Sequence, residues 1–234
     1  GTLRIFKNMF DNYDIIVVGG GHAGCEAAAA AANMGSKVLM VTMDLSRIAQ
    51  MSCNPAMGGV AKGQIVREID AMGGYSGIVT DHTIMQFRML NLSKGPAMWS
   101  PRAQSDRRLF ARKWRNMLEA HPNIDFWQEM VTGIIVKDGR AVGIHTGMGC
   151  EIEGASVILT NGTFLNGLIH IGAKQFGGGR AGERASTGIT EQLVGLGFEA
   201  GRMKTGTPAR VDGRSLDWDA MEVQPGDENP SKFS

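Results

Sequence analysis

The sequence is short of cysteine. Three stand in 234 residues, at positions 25, 53 and 150. An odd, widely scattered set builds neither a disulfide framework nor a metal-ligand cluster. A reducing compartment, the cytoplasm, is the expected home. No apolar run approaches the ~20 residues of a membrane span. No apolar signal core with a small-residue cleavage site stands near the N-terminus. Charge of one sign is lacking as well. The 24 Lys and Arg against 23 Asp and Glu leave +1, so nothing draws the whole chain to nucleic acid or a membrane. What is abundant is apolar content, 43%, and glycine, 33 residues, which suits one large globular domain with the start of a second. Gly1 in place of Met and the polar ending "QPGDENPSKFS" lead to the expectation of a piece of a longer protein.

The stretch "YDIIVVGGGHAGCEAAAAAANMGSKVLMVT", Tyr13 to Thr42, is the most informative. Ile15 to Val18 is an unbroken apolar run, the pattern of a strand buried on both faces. Gly19, Gly21 and Gly24 complete G-x-G-x-x-G, an alanine-rich helix runs from His22 to Met34 with Gly35 as its stop, and Lys37 to Val41 is a second strand. Such a βαβ unit lets backbone approach a pyrophosphate and aims a helix N-terminus at it. The plainer alternative is a Gly-rich turn in an ordinary α/β protein. A ribose-binding acid is expected about twenty residues on. Thr42 holds that place and Asp44 follows, which weakens NAD and leaves FAD open. A second match, "GGGRAG" from Gly177 to Gly182, lacks a preceding buried strand and reads as a mobile or substrate-side loop.

Further on, Lys62 to Met72 reads as a helix with Ile65, Ile69 and Met72 at helical spacing. Gln104 to Ala120 reads as another, with Phe110, Trp114, Met117 and Leu118 as its apolar stripe. Its Arg108, Arg112 and Arg115 form a solvated face or a phosphate or RNA contact. From Asp125 the chain reads as a meander, with hairpin turns at Asp138-Gly139 and Met148-Gly149, then a last buried strand, Val157 to Thr160. This order predicts an α/β, Rossmann-like FAD-binding fold of the glutathione-reductase type. Residues 1–171 would form that domain, and 172–234 a loop-rich lead, with a helix near Thr190–Leu196, into an inserted second domain.

The stretch "QMSCNPAMGG" looks like neither helix nor strand. Pro55 and Gly58-Gly59 shape a loop around Cys53, and loops on rigid scaffolds carry function. Cys53 is therefore either a nucleophile or a thiol that packs the loop. Cys25 and Cys150 read as small buried hydrophobes. His22 reads as a residue fixed at the helix start and not a base. Lys204 reads as an anion contact or a solvated lysine.

Six stretches, "GGGHAGCEAA", "MSCNPAMGGVAKGQIVREIDAMGG", "GPAMWSPRAQSDR", "NGTFLNGLIHIG", "GGRAG" and "MKTGTPARVDG", together resemble the MnmG (GidA) family over nearly the whole chain. The resemblance implies an FAD enzyme that modifies C5 of the tRNA wobble uridine with a GTPase partner, MnmE, using NADH and a methylene-folate carbon donor. It implies a homodimer in the full-length protein. It assigns Gly19, Gly20, Gly21, His22, Ala23 and Gly24 to the FAD pyrophosphate, with Val131, Gly162 and Ser186 also at the cofactor. Cys53 matches the proposed catalytic thiol, with a second cysteine, most of the NADH site and the tRNA-binding region expected beyond Ser234. Two other readings are a folate-dependent flavoprotein that methylates tRNA uridine C5, and a flavin-binding scaffold that recruits a GTPase or RNA.

Overall fold

A computed structural model describes residues 12–234. Gly1 and the N-terminal stretch lie outside the described residues. The first strand, β1 (Tyr13–Val18), leads into α1 (His22–Asn33) and β2 (Val38–Thr42), the βαβ unit the glycine spacing predicts. β1 pairs in parallel with β2 and, on its other edge, with β9 (Glu151–Leu159). β6 (Ile124–Gln128) extends the parallel layer beyond β2. β7 (Val131–Lys137) and β8 (Arg140–Thr146) add antiparallel strands outside β9, so the sheet runs β6-β2-β1-β9-β8-β7. A Rossmann-like sheet carrying a β-meander is the predicted fold.

The strand period of two sorts its core. Val17 and Met40 face the alanines of α1 and the stripe Phe110, Trp114 and Leu118 of α4 (Arg107–Glu119), all of them buried. Ile16, Val18, Leu39 and Val41 face the opposite side, against Val131, Ile144, Ile152 and Ile189. Both faces are thus covered, which is why β1 and β2 read as continuous apolar runs.

Four details differ from the sequence reading. The meander and the last buried strand are not separate: β9 gives Glu151–Glu153 to β8 and Gly154–Leu159 to β1, so one strand serves both. The Asp125 segment belongs to β6 of the parallel layer and not to the meander. Gln104 lies within a strand, β5 (Ser100–Ser105), and the helix starts only at Arg107, because Asp106 turns out of line and caps the amides of Arg108 and Leu109. In α2 (Lys62–Ala71) the inward residues are Gly63 and Val66, while Ile65 and Met72 are exposed. A Cβ on Gly63 would collide with the Pro101 carbonyl, so close approach, not apolar spacing, sets the face.

A second, three-stranded sheet joins β3 (Ala56–Gly58), β5 and β4 (Ile84–Leu90). Residues just after Cys53 are therefore strand, where the sequence showed only loop. α3 (Ser76–Thr83) precedes β4, and the hairpin β10 (Leu168–Ile171)–β11 (Lys174–Gly177) and α5 (Ile189–Gly195) complete the order. The chain then returns: Phe233 is buried beside Val66, Phe87 and Ala103, and Asp81 accepts hydrogen bonds from the amides of Phe233 and Ser234.

Candidate functional site

The parallel strands end together on one side, and a cleft of about 420 Å³ opens there. Ligands of open α/β sheets bind at this carboxyl edge, and the volume lies in the ordinary range for a small-molecule site. Its floor is the turn after β1. Gly19 donates its amide to the Val41 carbonyl, and Thr160 donates its amide to the Val18 carbonyl, so the turn is stitched to both neighbouring strands. Gly24 sits behind the turn, where a Cβ would collide with the Gly19 carbonyl oxygen; only glycine lets α1 pack this closely. At Gly21 nothing lies within 4 Å of the Cβ position, so the approach to the N-terminus of α1 is open. No side chain caps that N-terminus.

Of the residues singled out from sequence, Gly19, Gly20, Gly21, His22, Cys53, Val131, Gly162 and Ser186 line this cleft. Ala23 is exposed on α1 and Gly24 is buried behind the turn; neither lines it. Val131 and Ser186 meet directly, since the Ser186 hydroxyl donates 2.9 Å to the Val131 carbonyl. His22 Nε2 lies 3.2 Å from the Ala49 carbonyl and its ring packs on Phe110. Burial holds its pKa below the ordinary value. It is a fixed wall of the turn.

Thr42, which holds the place expected of a ribose-binding acid, lines the cleft. Asp44 lines the cleft but commits its carboxylate to the Ser46 amide and hydroxyl and to Arg47. Those hydrogen bonds, the Ser46 hydroxyl first, hold it below the usual carboxylate range. A second acid, Glu129, stands at the end of β6, buried, accepting from Trp127 Nε1 at 3.0 Å and the Met148 amide at 2.6 Å. The sequence reading missed it; its position just past the C-terminal end of a parallel strand was the available signal.

The second glycine match also reaches the cleft. No helix follows it directly, as its poor context implied, and Arg180 and Glu183 from that loop form the cleft wall. Glu183 bridges Arg47 at 2.5 Å and Arg180 at 3.0 Å. Burial lowers the Arg180 pKa. Asn161, also on the wall, keeps its side-chain oxygen buried without a partner.

Cys53 is half-buried and its thiol donates to the Thr207 hydroxyl at 3.7 Å. Cys25 and Cys150 are buried, and burial pushes the Cys25 thiol up to about 12. Among the described residues no cluster of His, Cys, Asp and Glu could hold a metal, and no helix is long and apolar enough to cross a membrane.

Known proteins resemble this chain in sequence and fold. The tRNA uridine 5-carboxymethylaminomethyl modification enzyme MnmG of Cytophaga hutchinsonii is 74% identical over 226 residues, 97% of this chain and 36% of the relative. The Flavobacterium johnsoniae protein of the same name is 72% identical over 96% of this chain. This chain therefore spans about a third of the length of the relatives it matches. Among solved structures, Aquifex aeolicus GidA superposes with a TM-score of 0.91 at 50% identity, covering 96% of this chain and 37% of that one. The GidA-related protein of Thermus thermophilus, at 22% identity and a TM-score of 0.58, covers 80% of this chain and 69% of that one and shares the fold. The model of the family described as glucose inhibited division protein A matches residues 14–234, and the chain belongs to that family.

Proposed function

We propose that the cleft binds FAD and that, in the full-length protein, it serves modification of the wobble uridine of tRNA at C5, with Cys53 as the catalytic thiol. The observation that carries the cofactor reading is the open floor: an uncapped helix N-terminus, free space over Gly21, and an unpartnered Asn161 oxygen on the wall. The residues fit the group. Amides at the start of α1, from Gly21 to Gly24, would hold the pyrophosphate. Val131, Gly162 and Ser186 would contact the nucleotide. Bound FAD supplies redox chemistry. The names of the close relatives support the tRNA substrate. NADH as reductant, methylene-folate as carbon donor, the GTPase partner MnmE, a homodimer and a cytoplasmic location belong to the same reading. They draw on parts of the protein beyond this chain.

The role of Cys53 follows from the substrate. Uridine C5 is a poor nucleophile. Addition of the Cys53 thiolate to C6 makes C5 enolate-like, so that C5 can attack a one-carbon electrophile. Loss of the C5 proton then expels the thiolate and restores the 5,6 double bond. Covalent catalysis divides one hard step into two. Of the three cysteines only Cys53 lies on the cleft and is not fully buried.

Two variants of the full-length protein test this. Gly21→Val fills the open approach; the purified protein should stay folded and lose its flavin absorbance, and full flavin content would refute the assignment. Cys53→Ser should keep its flavin and leave tRNA unmodified by nucleoside mass spectrometry. Modification at the wild-type rate would leave Cys53 as packing, with a cysteine beyond Ser234 as the attacking thiol. The same spectrum separates the 5-carboxymethylaminomethyl product from 5-methyluridine.

A further inference from the structure

Among the described residues, the stretch Gln50–Cys53 carries no main-chain to main-chain tether of its own past Gln50. The Gln50 amide bonds the Arg47 carbonyl, and the next such bond runs from the Ser105 amide to the Pro55 carbonyl. Among the described residues, three guanidinium groups from three distant segments hold the gap. Arg180 donates 2.6 Å to Gln50 Oε1 and 3.1 Å to Ser52 Oγ. Arg107 donates 2.9 Å, and Arg210 2.8 Å, to one atom, the Cys53 carbonyl oxygen. Met51 anchors the stretch from below, buried in the main core.

The two donors on Cys53 differ in footing. Arg107 opens α4, whose Phe110 and Trp114 are fully buried, so its backbone is fixed to the core. Arg210 comes from an exposed segment without regular structure, the same segment whose Thr207 touches the Cys53 sulfur. Neither arginine has a carboxylate partner among the described residues. Their charge is therefore directed at a backbone carbonyl, and charge-assisted bonds to one oxygen from two sides fix a peptide plane. Fixing the plane after Cys53 restrains its ψ, and with it the direction in which the Cα–Cβ bond carries the thiol.

We propose that Arg107 and Arg210 are positioning residues: they clamp the Cys53 carbonyl and so aim its thiol at the substrate uracil. This rests on the reading of Cys53 as the reacting thiol. A clamp of this kind acts on turnover and not on binding. The carbonyl has two donors, so each single loss is cushioned by the other. Contact is through one nitrogen of each arginine, so lysine can supply the same bond.

The test uses full-length protein with FAD, comparing Arg107→Gln, Arg210→Gln, the double variant and Arg107→Lys, with Cys53→Ser beside them. Each single Gln variant should lower kcat for tRNA modification by about tenfold, and the double by more than their product, roughly the loss of charged hydrogen bonds to a shared acceptor. KM for tRNA and the flavin spectrum should hold, and Arg107→Lys should recover most of the turnover. Wild-type kcat in the double variant, with Cys53→Ser inactive, overturns the clamp and leaves the reading of Cys53 standing. A kcat loss accompanied by lost flavin or unrescued by lysine makes the arginines merely structural and also overturns it. Wild-type activity in Cys53→Ser overturns both.

Discussion

Two glycines of the βαβ unit separate close approach from backbone conformation. Adding a methyl at Gly24 drives it into the Gly19 carbonyl, where backbone must move. Gly35 has open space around it but sits at φ +93°, where a Cβ costs about 1–2 kcal/mol. Gly24→Ala should therefore destabilise by more than Gly35→Ala, and urea midpoints of the two variants check the order. His22 gives a signed pH effect. Burial holds its folded pKa below the free-chain value of 6.5, so acid protonates the unfolded chain first. Its contribution is present above 6.5 and lost as pH falls through that value toward the folded pKa. His22→Gln should flatten the fall in denaturation midpoint below that pH. For the thiols, iodoacetamide at mildly alkaline pH should label Cys53 in the native protein and spare Cys25, whose thiol stands at about 12. Mass spectrometry before and after denaturation reads this directly.

At the scale of elements, the best-read piece was α4. Its stripe followed from spacing alone, and the Phe110, Trp114 and Leu118 it buries are fully inside. Leu118→Ala should cost about 2–5 kcal/mol, whereas Leu109, 40% exposed on the same helix, should tolerate alanine with little change. The edge of the large sheet shows what spacing could not. Gln192 of α5 accepts 2.7 Å from the Ile134 amide and donates 2.6 Å to the Ile134 carbonyl, so its amide stands where a neighbouring strand would pair with β7. Gln192→Ala should lower stability by about 1–3 kcal/mol through the two unmade bonds; thermal unfolding measures it. A lone glutamine in a short helix gives no such signal in sequence.

At the scale of the whole chain, residues far apart close the structure. Arg67 donates to the Lys232 carbonyl at 2.9 Å, the Asp227 carboxylate accepts 2.7 Å from the Met89 amide, and Phe233 meets Phe87 edge-on at 6.1 Å. The final residues thus pack on the small sheet that also carries β3, just past Cys53. Phe233→Ala should open this return, cost about 3–5 kcal/mol as truncation of a buried aromatic does, and speed proteolytic cutting between α5 and Ser231. Unchanged cutting would show that the return is held without the ring.

The βαβ unit, the meander hairpin and the helix of Phe110 were determined by sequence, because periodicity and turn chemistry act over neighbours a few residues apart. The glycine turn was legible for the same reason: backbone constraints are local. Glu129, the Arg47–Glu183–Arg180 bridge and the arginine pair on Cys53 were not. Each joins separate segments, by as many as 157 residues for Arg210 and Cys53, and no local pattern encodes which of the many arginines will meet which oxygen. β9 was half-legible. Its apolar end announced a buried strand, but that one strand would pair antiparallel over its first three residues and parallel over the rest was decided by the tertiary sheet, where each backbone amide must find a partner.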